Sequence, residues 1–177
     1  MRIVDRSDLT GPLRLADRRK GAASLIVIHR NTVAPDVDGV ARWFASPPPG
    51  NEAYGSRLFP YHFFVDDADG SGDVVVSQVH SVDTVSPHAY GMNGHGIGIA
   101  LNIDGRVKAP SLAMQEAVVD LMARLMVACR IDSVVGHNAA KGCPGKLVPV
   151  ESLAGRARTM ARATPLVADG VRLTRAW

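Results

Sequence analysis

The chain has 177 residues, 46% of them hydrophobic and 21% charged, with a formal net charge of +3. That length suits one domain with a real core, and the balance excludes a disordered chain. No apolar run approaches the roughly 18–20 residues needed to cross a bilayer, and the segment from Met1 to Arg6 is too charged to open a secretory leader.

In chain order, residues 1–23 are mixed and basic and read as an N-terminal extension lying over the domain. Leu25-Ile26-Val27-Ile28 is a continuous apolar run ending at His29, the pattern of a buried strand. Asp38 to Ala45 reads as a short helix, with Val37, Val40, Ala41 and Phe44 at helical spacing. Ser46-Pro47-Pro48-Pro49-Gly50 ends it. Tyr61-His62-Phe63-Phe64-Val65 is aromatic and β-rich. An Asp/Gly turn from Asp66 to Gly72 joins it to Asp73–Gln78, so the two read as a hairpin.

A polar, glycine-rich loop through His88, Gly91, Asn93 and Gly96 leads into Ile97-Gly98-Ile99-Ala100-Leu101, another buried strand. Ser111 can cap the next helix. In that helix Met114, Val118, Leu121, Met122, Leu125 and Cys129 keep the spacing of a face packed on a sheet. Ile131–Val135 is a further strand ending at Gly136-His137, and Val150–Ala163 is a last helix before a tail reaching Trp177. The reading is one α/β domain, a central mixed sheet of about five or six strands flanked by helices.

Chemistry concentrates at strand ends. Both His29 and His137 close a strand, where side chains project from a rigid platform into the loop layer. Either alone is more often a structural histidine. Cys143, six residues after His137 in the turn Gly142-Cys143-Pro144-Gly145, has no packing reason to be there, unlike Cys129 on its apolar helix face. Two imidazoles and a thiolate are suitable zinc ligands, and three protein ligands with a fourth position open is the catalytic arrangement. Spacing alone does not fix the long-range pairing of His29. The Asp66–Gly70 run resembles the start of a calcium loop, but its twelfth position is Ser77 rather than a bidentate Glu. His62, His80 and His95 read as structural or surface residues.

Five segments in order carry a resemblance to a known family. They are Ile26–Thr32, Tyr61–Val65, Pro87–Asn93, Gly96–Leu101, and Gly136-His137 followed by Lys141–Gly145. The chain resembles the zinc-dependent N-acetylmuramoyl-L-alanine amidases, the family of phage lysozyme-type amidases and peptidoglycan recognition proteins. That likeness spans roughly residues 24–150. It implies a zinc amidase domain over 24–163, with 164–177 as a C-terminal tail packed on or extending from it.

The resemblance makes His29, His137 and Cys143 the ligands of Zn²⁺. It matches Tyr61 to a catalytic tyrosine and Lys141 to a catalytic lysine of the phage branch, and it places His88 and Asn93 in a loop lining the substrate cleft. Arg30, where many relatives carry His or Cys, is a further candidate for substrate contact. Phe44 stands where the family's Trp-His helix has its His, and the turn from His137 to Cys143 is shorter than in most relatives. The implied reaction is hydrolysis of the lactyl–L-alanine amide of peptidoglycan, endolysin-like. Lys141 would face the oxyanion and Tyr61 would handle water or its proton, or the two roles would be exchanged.

Two alternatives belong to the same family: a recognition module that binds peptidoglycan without cutting it, and a cytoplasmic amidase recycling anhydro-muropeptides. Non-catalytic relatives commonly lose the cysteine or the tyrosine, and recycling enzymes usually carry Asp as third ligand. The expected partner is peptidoglycan or a muropeptide, with no nucleic acid, no membrane insertion and a monomeric state. The expected location is cytoplasmic as synthesised, with action on the wall after release. Six basic residues from Lys146 to Arg175, against Glu151 and Asp169, read first as a solvated face, then as a patch for an anionic wall or an intracellular partner.

Overall fold

The structure is a computed structural model describing residues 2–10, 16–17, 22–50, 58–67 and 72–163. Elements are numbered in chain order. The two apolar runs that end or begin near histidines and glycines become β2 (Leu25–Arg30) and β5 (Gly96–Leu101), paired in parallel. Around them lie β1 (Arg2–Asp5), β3 (Phe63–Asp66), β4 (Val75–Gln78) and β6 (Ser133–Gly136). The six form one sheet in the order β1-β4-β3-β5-β2-β6. The β3–β4 hairpin is antiparallel, and the other pairings are parallel.

Side-chain alternation divides the sheet into two unlike faces. Ile26 and Ile28 of β2, Phe63 and Val65 of β3, and Ile97, Ile99 and Leu101 of β5 join one apolar cluster with α2 (Leu112–Cys129) and α3 (Val150–Ala163). The opposite face of β5 presents Gly96, Gly98 and Ala100. There a smaller cluster of Val37, Val40, Phe59, Phe64, Val79 and Ala100 packs under α1 (Val37–Ala45).

Local chemistry sets the helix ends. Asp36 Oδ1 accepts from the Gly39 N–H at 2.6 Å and Ser111 Oγ from the Met114 N–H at 3.1 Å, each capping a helix start. Arg130 ends α2 in the left-handed region at φ 56°, a place glycine usually fills. The predicted stripe of α2 meets the sheet, but Val119, Ala123 and Met126 are buried too. The reason is α3, which packs its Leu153, Ala154 and Ala157 over the same core.

Several boundaries differ from the sequence reading: α1 starts at Val37 rather than Asp38, β4 at Val75 rather than Asp73, and β6 spans Ser133–Gly136 rather than Ile131–Val135. Within residues 1–23, read as an extension over the domain, Arg2–Asp5 pairs with β4 as an edge strand. Four residues with charged ends and two half-buried aliphatics carry no periodic signal. The second predicted strand starts at Phe63 rather than Tyr61. The preceding His62 turns its ring into the sheet, where Nδ1 accepts from the Gly98 N–H at 3.0 Å. The tail 164–177, with Asp169, Arg172 and Arg175, lies outside the described residues, as does the tip of the Asp/Gly turn. Among the described residues no helix is long and apolar enough to cross a membrane.

Candidate metal centre

The parallel register of β2 and β6 sets Ile28 beside Gly136. One residue further on, His29 and His137 therefore emerge side by side at the carboxyl ends of neighbouring strands, where open α/β sheets build their sites. The His137 N–H donates to the Ile28 carbonyl at 3.0 Å, and the two rings lie 4.5 Å apart between centroids.

Cys143 is returned to them by a short loop. The Asn138 N–H donates to the Cys143 carbonyl at 2.8 Å and the Cys143 N–H to the Asn138 carbonyl at 2.9 Å, closing residues 138–143 at their base. Beyond the loop, backbone meets backbone. A Cβ at Gly145 would fall 2.1 Å from the carbonyl carbon of Gly105, and one at Gly105 would fall 2.2 Å from the Pro144 carbonyl oxygen. Side chains at either glycine would force the cysteine turn away from β6. As built, one candidate ligand atom from each of His29, His137 and Cys143 lies within 4.8 Å of the others. These three could hold one metal ion.

The electrostatics suit that use. His29 is 1% exposed, and burial, reinforced by neighbouring His88, His137 and His62, pushes its pKa well below the usual imidazole value. Burial lowers His137 as well, helped by the charge of Lys141. Both rings are therefore neutral at pH 7 and carry a lone pair. Burial pushes the Cys143 thiol up. Backbone and side-chain hydrogen bonds from Arg30, and its charge, work against that rise.

The remaining candidates fall at different distances from the trio. Tyr61 is half-buried with its ring 5.0 Å from that of His29 and 6.5 Å from that of Phe44. Burial and the nearby Cys143 raise its pKa, so the phenol keeps its proton. Lys141 is exposed at the end of the single-turn helix Ala139–Lys141 within the cysteine loop. Arg30 pairs with Asp104 at 2.7 Å, and its side chain is 15% exposed, so it is held against Cys143. Asn93 braces the glycine-rich loop, its Oδ1 accepting from the Ala89 N–H at 2.6 Å.

His88 lies within the fold. It is 6% exposed, with Nδ1 3.1 Å from His29 Nε2 and Nε2 3.0 Å from the Gly96 carbonyl oxygen. Behind it His62 and His80 are also buried, and their Nε2 atoms meet the carbonyls of Thr84 at 2.9 Å and Phe59 at 2.6 Å. His95 is exposed.

Sequence reasoning passed over Asp104, which also holds Arg106. Its only signal was an acidic residue shortly after β5, and the register that brings it to Arg30 is not written in local spacing.

A sequence profile described as N-acetylmuramoyl-L-alanine amidase matches residues 19–146. No curated protein sequence matches the chain. Among solved structures, the chain is similar to the endolysin N-acetylmuramoyl-L-alanine amidase LysCS from Clostridium intestinale, at 20% identity and a TM-score of 0.62, over 89% of this chain and 95% of that one. Drosophila PGRP-LB gives 21% identity and a TM-score of 0.62 over 93% and 94%. Peptidoglycan recognition protein-LE, solved with tracheal cytotoxin, a monomeric diaminopimelic acid-type peptidoglycan, gives 18% identity and a TM-score of 0.65 over 86% and 92%. At these identities the structures speak for a shared fold, and the profile speaks for descent. With more than half its length matched by that profile, the chain belongs to the N-acetylmuramoyl-L-alanine amidase family.

Proposed function

We propose that the chain is a zinc-dependent amidase that cleaves the bond between the lactyl group of N-acetylmuramic acid and L-alanine in peptidoglycan. The observation that carries this reading is the convergence of two neutral imidazoles and one thiol on a single point. Nitrogen and sulfur donors of this kind suit Zn²⁺ better than they suit hard cations, and three of them leave a coordination position open. When bound, Zn²⁺ supplies Lewis-acid polarisation of the amide carbonyl and activates water as a nucleophile at neutral pH.

The chain's own groups supply the rest. His29, His137 and, as thiolate, Cys143 would hold the ion. Arg30, itself held by Asp104, sets its positive charge beside the sulfur and so favours the thiolate form. Tyr61, protonated and beside His29, is placed to orient the attacking water or hand a proton to the leaving amine. Lys141, a cation two residues before Cys143 on the same loop, is the proposed donor to the developing oxyanion. His88 and Asn93 shape the neighbouring loop from within.

A second reading, peptidoglycan binding without cleavage, is favoured by the likeness to a recognition protein solved with a peptidoglycan fragment. Retention of both Cys143 and Tyr61 supports the enzyme. Zinc-loaded protein incubated with purified sacculi separates the two. Mass spectrometry should find released stem peptides with a free L-alanine amino terminus and intact glycan strands. Tight binding with no release would instead establish the recognition role.

A further inference from the structure

His88 makes two contacts that together determine where its protons sit. Its Nε2 lies 3.0 Å from the Gly96 carbonyl, which can only accept, so the ring proton is on Nε2. Its Nδ1 then carries a lone pair and faces His29 Nε2 at 3.1 Å. With His88 neutral, that contact is a hydrogen bond only if His29 carries its proton on Nε2. An imidazolium at His88, buried one ring from a divalent ion, would be the costly state. His29 is left with a bare Nδ1.

We infer that His88 is a positioning residue for the metal: it relays the Gly96 carbonyl to His29, fixing the His29 ring and the tautomer that offers Nδ1 to the ion. The inference rests on the zinc reading of the His29, His137 and Cys143 trio. It gives His88 a task other than touching substrate. Metal-bound histidines generally donate their second N–H to a carboxylate, carbonyl or water; here the acceptor is a second imidazole, anchored in turn to β5.

The slot for His88 is built into that strand. A Cβ on Gly98 would fall 2.7 Å from His88 Cγ, and one on Gly96 would fall 3.0 Å from Cε1. Side chains on this face of β5 would evict the ring, whereas the alternate positions Ile97 and Ile99 are filled for packing. Behind His88, the His62 ring stands 5.7 Å away between centroids, with Nε2 and Nδ1 both engaged by the backbone of Thr84 and Gly98. The His88 ring therefore rests among fixed groups, which suits a part that aims another side chain.

Two measurements test this. The full chain is loaded with zinc, and long-range nitrogen–proton correlation spectra of its histidine rings are recorded; His29 should carry its proton on Nε2 with Nδ1 metal-bound. Zinc affinity is then compared by chelator competition between the native chain and His88→Phe, which keeps ring bulk and removes the acceptor. The variant should bind zinc roughly 10–100-fold more weakly. Equal affinity in a folded His88→Phe, or a native His29 protonated on Nδ1, overturns the inference. The native spectrum decides the matter even if the variant does not fold. Failure of the native chain to bind zinc at all would overturn the metal reading beneath it, a result distinct from either.

Discussion

On one face of β5, Ile97, Ile99 and Leu101 are sealed beneath α2. On the other, Gly96 and Gly98 leave room that the buried His88 ring occupies, and Ala100 joins the small apolar cluster under α1. The same six residues thus serve two solvents. The first face is ordinary hydrophobic burial, where any well-shaped apolar set would do. The second is a polar interior, and each ring nitrogen there needs a partner or a purpose. His62 and His80 find theirs in backbone carbonyls. His29 and His137 reach the strand ends with lone pairs facing a cysteine. Buried histidine is therefore not one kind of residue in this fold: rungs beneath the site brace it, and rungs at its mouth are its chemistry.

Substitutions on the two faces should separate stability from function. The largest effect is expected at the mouth. Cys143→Ala or His29→Ala should abolish peptide release from sacculi and strip the protein of zinc while leaving a folded domain, as read by metal analysis and circular dichroism. Retained activity in a metal-depleted Cys143→Ala protein would break the ligand assignment.

Next, Leu121→Ala on the helix face should cost about 2–5 kcal/mol in unfolding experiments, yet bind one zinc per folded chain. Gly98→Ala on the histidine face should cost somewhat less, about 1–3 kcal/mol, from the overpacking against His88, and should weaken zinc binding as well. If the two variants lost stability and zinc in the same proportion, the division between the faces would fail.

The smallest effect is on pH. The His29 pKa is lowered in the folded chain, so below about pH 6.5 the unfolded chain binds the proton that the folded one refuses. Stability of the metal-free protein is therefore lost as pH falls below that value, by up to about 1.4 kcal/mol per pH unit from this ring. Denaturant titrations in chelator at pH 7.5 and 5.5 measure the difference, and a midpoint unchanged or higher at the lower pH would contradict the neutral burial of His29.

Much of the scaffold was legible in the chain. The runs 25–28 and 97–101, the capped helix after Ser111 and the last helix at Val150–Ala163 announce themselves through apolar run length, capping and period. The sheet's mixed form and its six strands agree with the reading of about five or six strands taken from the elements in chain order. Less legible were features that depend on register. Arg2–Asp5 becomes an edge strand only because β4 offers it a free side. Nothing local to His88 shows that it meets His29 fifty-nine residues away in sequence, or that Asp104 meets Arg30. The trio itself was legible as residue types and order, and its convergence came from parallel pairing of β2 with β6 and the closed loop at 138–143.

The metal centre can be tested in a single measurement. Zinc-edge X-ray absorption of the native, zinc-loaded chain should resolve one sulfur neighbour at about 2.3 Å and two imidazole nitrogens at about 2.0–2.1 Å, with any remaining scatterer light. A shell of nitrogen and oxygen alone, with no sulfur, would mean that Cys143 does not hold the ion and that the site has been read wrongly.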